Sequence, residues 1–337
     1  MVTYIIRRLI GAVLMLVIVS MVTFSIFFVV PRIAGATAED FASRYMGRSA
    51  NTEMIAVTAE KLGFNDPIPV QYGRWISGVF VGSEFDTGAT IEECPAPCFG
   101  YSFIRRQPVW PDLVDRIPVT LSLALGASVI WLLCGVATGV LSALRKGTIF
   151  DRAAMSIALA GVSLPVFFTG IVSLVVFSYG LGITAPGGSF TPFLENPVEW
   201  AYDLLLPWIT LAFLYAASYA RLTRAGMLET MSEDYIRTAR AKGMKESRVV
   251  VKHGLRAALT PILTIFGLDL GLLLGGAVLT ESTFSLKGIG DYAVQAIVTN
   301  DLPKIMGVTM VAALFVVLAS LIVDLLYAVV DPRVRLG

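Results

Sequence analysis

Histidine and cysteine are nearly missing from this sequence: one histidine, His253, and three cysteines stand among its 337 residues. A catalytic zinc needs three protein ligands, and an H-E-x-x-H helix needs two histidines one turn apart, so that class of metalloenzyme is excluded. The signatures of nucleotide and acyl chemistry are absent too. No G-x-x-x-x-G-K-[ST] run is available to cradle phosphates, and no G-x-S-x-G turn to present a nucleophile. Charge is the third scarcity. Asp, Glu, Lys and Arg make up 15% of the chain, against about 25% in soluble domains. The net charge of +1 creates no overall field that would recruit nucleic acid. With neither a nucleophile–base pair nor a metal set in view, transport is a better class of function than catalysis.

What the chain has instead is apolar length. Apolar residues make up 56%, in runs of roughly 18 or more, the length that crosses a bilayer as a helix. The runs are Leu9–Val30, Ile117–Leu144, Ala153–Asn196 with a loop inside it, the shorter Leu204–Ala220, Ala257–Thr280 and Ile305–Val330. The expectation is an all-α membrane protein of six transmembrane helices. Basic residues collect in alternate loops: Arg7 and Arg8; Arg145, Lys146 and Arg152; nine basic against four acidic residues over 221–256; and Arg333 with Arg335. The loops between are acidic, with Glu195, Glu199 and Asp203 in one, and Glu281, Asp291 and Asp301 against Lys287 and Lys304 in another. Lys and Arg accumulate on the cytoplasmic side, which places both termini there. Arg7-Arg8, the first run and Ala34-Gly35-Ala36 have the order of a signal peptide. The run is about 22 residues, longer than a 7–15-residue signal core, so it is read as the first span.

The organisation expected is an N-terminal tail and first helix (1–30), an external segment (31–116) and a five-helix core (117–337) containing the cytoplasmic loop 221–256. In the external segment, Thr52–Leu62 reads as a short helix ended by Gly63, and Asn65-Asp66-Pro67 as a turn. Gln71–Phe80 reads as a second short helix, whose Tyr72, Trp75 and Phe80 suit a membrane surface. Gly82–Gln107 shows no period and reads as loop. Cys94 and Cys98 bracket Pro-Ala-Pro outside the cytoplasm, which favours a disulfide. A metal pair is the alternative, though C-x₃-C alone falls short of a zinc set. Cys134 reads as a small packing residue in the second span, and His253 as structural.

Within 221–256, Ser232 suits an N-cap, Glu233 and Asp234 the first turn, Arg240 and Lys242 the last turn, and Gly243 the left-handed position after it. That describes a short helix outside the membrane, with Tyr235, Ile236 and Ala239 on one side and small Ala239 and Ala241 open to close approach by a partner. A solvated basic loop that only sets topology is the other reading.

The run Asp234-Tyr-Ile-Arg-Thr-Ala-Arg-Ala-Lys-Gly243, followed by His253-Gly-Leu-Arg-Ala-Ala-Leu-Thr-Pro261, resembles the signature loop of ABC importer permeases of the dipeptide and oligopeptide group. The resemblance extends along the chain through Ile5–Leu9, Leu62–Gln71, Arg116–Leu121, Ser163–Pro165, Glu281–Gly290, Val323–Tyr327 and Asp331-Pro-Arg333. It implies a type I importer permease fold in the bacterial plasma membrane, moving peptides inward by alternating access. It makes 234–243 the coupling helix, with Tyr235, Ala239, Arg240, Ala241, Lys242 and Gly243 facing an ATPase. The implied partners are a second permease, two ATPases carrying ATP and Mg, and an external substrate-binding protein, with no cofactor in this chain. The sequence departs from the general importer pattern in having Arg237-Thr238-Ala239 in place of Glu-Ala-Ala, a form familiar in peptide permeases. Its external stretch 82–107 is also longer than expected, either touching the binding protein or a neutral insertion.

Gly267, Gly271 and Gly275 recur every four residues, which lets a second helix approach, either in the partner permease or in the same bundle. Asp269 lies at membrane depth, where a carboxylate faces a protein partner or a watery cavity. It is a candidate for lining the pathway near a peptide's amino terminus, or a paired structural acid. Asp324 reads as structural. An ion- or proton-coupled carrier using Asp269 as relay is the competing class, and it predicts broken-helix pairs or inverted repeats that the sequence does not show. The charge bias predicts that alkaline phosphatase fused after Glu195 is active and after Ser232 inactive; the reverse pattern in an activity assay would invert the topology.

Overall fold

A computed structural model of the chain describes residues 2–46, 52–86 and 91–330. Five helices are long and apolar enough to cross a membrane: Ile6–Ile33, Val109–Leu144, Pro197–Thr230, Glu246–Leu274 and Leu302–Asp324. The helices Ile149–Ser163 and Val166–Gly180 form an apolar pair bent by 102°, which makes a sixth crossing when counted as one broken span. In chain order these are the first to sixth spans, the broken pair being the third. Apolar side chains such as Val13, Ile171, Leu268 and Leu272 stand exposed on them, a surface suited to lipid. The Asp331-Pro-Arg333 motif and the tail arginines lie outside the described residues.

The third span departs from the run Ala153–Asn196. Thr148 caps it by accepting from the Asp151 N–H, and it stops at Leu164, whose ψ is 130°. Pro165 follows, and a residue before proline is pushed out of the helical region. The chain resumes as Val166–Ser173, runs through a π-helical stretch Leu174–Gly180, and is irregular until Asn196. There Asn196 caps the fourth span, accepting from the N–H groups of Val198 and Glu199, with Pro197 at the first position.

The second and fourth spans are longer than their apolar runs, 36 and 34 residues. At 1.5 Å per residue they reach about 50 Å, beyond a hydrocarbon core of about 30 Å, and must project from it. The second begins at Val109 rather than Ile117 because Pro111 falls in the first turn, where the missing N–H has no partner to lose. The fifth ends earlier than expected, at Leu274, where Gly275 and Gly276 break it.

Glycines set the helix contacts. The second and fourth spans run parallel: a Cβ on Gly126 would lie 2.1 Å from the Trp208 ring, on Gly135 2.7 Å from Tyr219 Cβ, and on Gly139 2.5 Å from Thr223 Cβ. The fifth and sixth spans run antiparallel. A Cβ on Gly267 would meet Val323 at 2.4 Å, while Gly271 faces Val316 and Ala319, and Gly275 faces Ala312. The three-glycine stripe therefore lies against the sixth span of its own chain. Cys134, expected to pack inside the bundle, is exposed, on the side of the second span away from Gly135.

The segment after the first span is not simply loop between two helices. Ala38–Met46 is a further helix, opened by a reciprocal cap in which the Thr37 N–H donates to Asp40 Oδ2 at 2.7 Å and the Asp40 N–H to Thr37 Oγ1 at 3.3 Å. Thr52–Lys61 and Ile68–Val81 are the two expected helices, with Gly63 at φ +68° between them. Tyr72 and Trp75 do not face a membrane surface. They pack on Phe24 of the first span, and the Tyr72 hydroxyl lies 2.8 Å from Ser20 Oγ. The stretch expected to be loop contains two short antiparallel ladders, Ser83–Asp86 with Ile91–Cys94 and Tyr101–Ser102 with Gln107–Pro108. Strands of two to four residues are too short for a period-2 pattern to register. A disulfide joins Cys94 to Cys98.

Gly139 is hemmed in by backbone, since its Cβ would also meet Ala220 O at 2.6 Å, which cannot rotate away. Gly139→Val should destabilise the bundle by at least about 1–3 kcal/mol. Gly271→Ala, whose nearest neighbour is at 3.4 Å, should be tolerated. Unfolding midpoints of the two variants in detergent check the contrast.

Candidate functional site

At the end of the bundle bearing loop 221–256, the helix Asp234–Ala241 lies between the fourth and fifth spans. It starts later than the Ser232 cap predicts. Glu233 holds the cap position, and Ser232 Oγ turns back to donate to Glu229 O at 2.7 Å. Gly243 adopts φ +74° after the last turn, the left-handed conformation expected of it. Ile236 is fully buried and Ala239 is 8% exposed, packed with Val249, Met231 and Met244. Arg240 donates through Nε and Nη2 to both carboxylate oxygens of Glu246, at 3.1 and 2.7 Å. One face of this helix is thus fastened to the base of the fifth span, and the other is free. Tyr235, 46% exposed, stands outward with Arg237, Thr238, Ala241, Lys242 and Gly243. Tyr235 and Ala239, expected on one side, differ in burial: Tyr235 is exposed at the flank, while Ala239 fills its own chain's core.

A second clamp steadies this end. Arg224 of the fourth span donates to both oxygens of Asp151 in the third, at 2.6 and 2.8 Å, and the Gly147 N–H reaches Asp151 at 2.9 Å. The pair is 73 residues apart in sequence, and no local pattern announces it. His253 is half-buried in the π-helical stretch Val249–Leu255.

Within the spans, Asp269 accepts from the Tyr219 hydroxyl at 2.8 Å. Trp131 of the second span stacks on Tyr215 at 4.6 Å between ring centroids, and its ring lies 6.2 Å from Tyr219 and 6.1 Å from Phe266. Asp324 has a different partner: Arg8 at the start of the first span, at 2.6 Å, so it ties the first span to the sixth. Among the described residues, no three His, Cys, Asp or Glu side chains converge to hold a metal.

The opposite end is organised around acids the sequence analysis did not single out. Glu281, in the helix Val278–Thr283, is wholly buried. It accepts from Thr120 Oγ1 at 2.8 Å and from the Asp291 N–H at 2.9 Å. Thr120 Oγ1 in turn accepts the Ile289 N–H at 2.9 Å. A Cβ on Gly288 would lie 2.4 Å from the Glu281 carboxyl, and one on Gly290 3.0 Å from it, so only glycine lets the loop wrap the acid. Burial pushes the Glu281 carboxyl above its ordinary range, and the N–H and hydroxyl donors hold back part of that rise. Beside it, Asp301 accepts from Ser102 Oγ at 2.5 Å and pairs with Lys304 at 3.2 Å, all three buried. Tyr292 donates to Asp112 at 3.1 Å under the guanidinium of Arg116. The only sequence signal was the expected Glu281–Gly290 motif, whose buried carboxylate had no predicted partner.

Two family models cover the chain. Residues 135–336 match the binding-protein-dependent transport system inner membrane component, and residues 1–124 match the N-terminal part of such membrane components. The chain belongs to this family. A relative from Brucella abortus (strain 2308), named for a peptide transport system permease, is 37% identical over 335 residues, 99% of each chain. The dipeptide transport system permease protein DppB of Escherichia coli (strain K12) is 35% identical over 340 residues, 91% of this chain and 96% of that one. The methionine ABC transporter MetNI, solved in inward-facing conformations, shares the fold at a TM-score of 0.51 and 20% identity, over 65% of this chain and 96% of its own. Membership makes the protein a multi-pass permease component of the bacterial inner membrane. It overturns the competing reading of a gradient-driven carrier.

The Glu281 shift carries a sign. A carboxyl that binds protons more readily folded than unfolded contributes stability fully below its ordinary value of 4.5, and loses it as pH rises through the higher folded value. Unfolding midpoints of the wild type and Glu281→Gln between about pH 4.5 and 8 should show the wild type losing ground with rising pH. A constant gap would contradict it.

Proposed function

We propose that this chain is one of two permease subunits of an ATP-driven importer that carries di- or oligopeptides into the cell by alternating access. Its membership in the binding-protein-dependent family and the peptide names of its relatives support that substrate class. The observation that carries the mechanism is the Asp234–Ala241 helix, fastened through Ile236, Ala239 and the Arg240–Glu246 pair, with Tyr235, Arg237 and Ala241 exposed around the rest of it. A helix so held moves with the fourth and fifth spans, so a push on its exposed residues reaches both. Two separate ATPases binding ATP and Mg supply the push, and a substrate-binding protein delivers peptide on the opposite side. The basic loops put both termini and this helix in the cytoplasm. The Cys94–Cys98 disulfide then lies on the oxidising side. Asp269, half-buried between the fourth and fifth spans, lines the pathway.

Because Ala239 is internal, a bulky residue there would disturb the fold as well as the docking; the exposed residues give the cleaner test. Tyr235→Ala combined with Ala241→Trp should leave insertion and pairing with the second permease intact. Peptide uptake and peptide-stimulated ATP hydrolysis should both fall at least about tenfold, the scale of losing one interfacial aromatic anchor. Uptake and stimulation at wild-type level in proteoliposomes would sink the coupling role.

A further inference from the structure

Asp269 lies within the fifth span with a single hydroxyl as its hydrogen-bond partner. Asp151 has Arg224 and Asp324 has Arg8, but no Lys, Arg or His among the described residues pairs with Asp269. Its Oδ2 takes the Tyr219 hydroxyl at 2.8 Å, and its Oδ1 takes no hydrogen bond. The side chain is half-buried rather than sealed. A bare carboxylate at this depth is costly unless something positive comes to it.

The surroundings narrow what that is. Phe266 lies one turn before Asp269 on the same helix face, and Tyr215 and Tyr219 lie one turn apart on the fourth span. Trp131 reaches in from the second span, within 4.6 to 6.2 Å of Tyr215, Tyr219 and Phe266 between centroids. Tyr219 touches the carboxylate, and Trp131, Tyr215 and Phe266 pack with it into one aromatic cluster drawn from three spans, of which Tyr215 and Phe266 are half-exposed. Aromatic faces attract organic cations, but they supply few oxygens. Calcium takes six to eight oxygen ligands and magnesium a full octahedron, and one carboxylate with two phenols does not provide them. A primary ammonium fits better, with donors for Oδ1 and for a phenol oxygen, and a compact charge that the rings can face.

We infer that Asp269, Tyr219, Tyr215, Trp131 and Phe266 form a station for a primary ammonium group of the transported peptide. The ligand's being a peptide rests on the importer reading; the ammonium chemistry rests on the site itself. The group comes from the peptide's free amino terminus or from a lysine side chain. An acid that holds the ammonium end while the permease is closed on both sides gives the permease a selectivity of its own, separate from that of the binding protein.

The test uses the complete transporter in nanodiscs and three photoreactive peptides: trialanine with a free amino terminus, N-acetyl-trialanine, and N-acetyl-alanyl-alanyl-lysine. Cross-links are mapped by mass spectrometry. The free-amino peptide should label residues 215–219 and 266–269 at least about tenfold more than N-acetyl-trialanine, the ratio expected for one charge pair with ring support. Labelling by the lysine peptide would add the side chain as a second source of the same cation. Asp269→Asn should bring the free-amino peptide down to the acetylated level, and Asp269→Glu should restore the preference. Equal labelling by all three peptides in the wild type, no labelling of these segments, or undiminished labelling in Asp269→Asn would overturn the station. ATP-driven uptake is measured in parallel on the same complex in proteoliposomes. A wild type that imports no peptide would refute the importer reading, while the labelling pattern still decides the ammonium site.

Discussion

Backbone contact between the second and fourth spans is the constraint on which the rest of the arrangement depends. In lipid, helices gain nothing from burying apolar surface against one another, because the solvent is as apolar as they are. Close approach through small residues takes over, and Gly126, Gly135 and Gly139 leave no space for a side chain where Trp208, Tyr219 and Thr223 pass. The parallel alignment sets heights along the bundle. It carries Tyr215 and Tyr219 level with Trp131, and leaves Arg224 beside Asp151 at the end that bears the short helix Asp234–Ala241.

Buried acids then fix the two ends, each satisfied differently. Asp151 receives a forked guanidinium and a backbone N–H, the strong charge-assisted geometry. Glu281 has no ion pair and is held by a hydroxyl and the N–H groups of the turn that wraps it. Asp301 shares Ser102 and Lys304, so it joins the hairpin segment to the start of the sixth span. Removing one partner from such a site leaves a buried charge unanswered, which is why these groups hold the geometry firmly. Asp269 is the exception, with a hydroxyl alone.

Much of this was legible in the sequence because it follows from local chemistry. Apolar length announces a span. Gly243 ends the helix Asp234–Ala241 because only a residue tolerant of positive φ suits that place. Thr37-x-x-Asp40 is an equally readable cap for the helix Ala38–Met46, whose few apolar residues Phe41, Ala42 and Tyr45 make it short and polar overall. Pro165 likewise carried the break in the third span, although apolar run length alone hid it.

The sequence by itself determined that the chain carries five to six membrane-crossing segments, where the short helix of loop 221–256 lies and which family it joins. These depend on run length, capping and motif order, all properties of neighbours along the chain. Only the tertiary structure decided which residues of that helix are exposed, that the glycine stripe serves the sixth span, and that Asp269 meets Tyr219 beside a cluster of aromatics. Partners 50 to 199 residues apart meet only because the spans pack at particular heights and rotations. That packing is a property of all the helices together, and no single stretch of sequence records it.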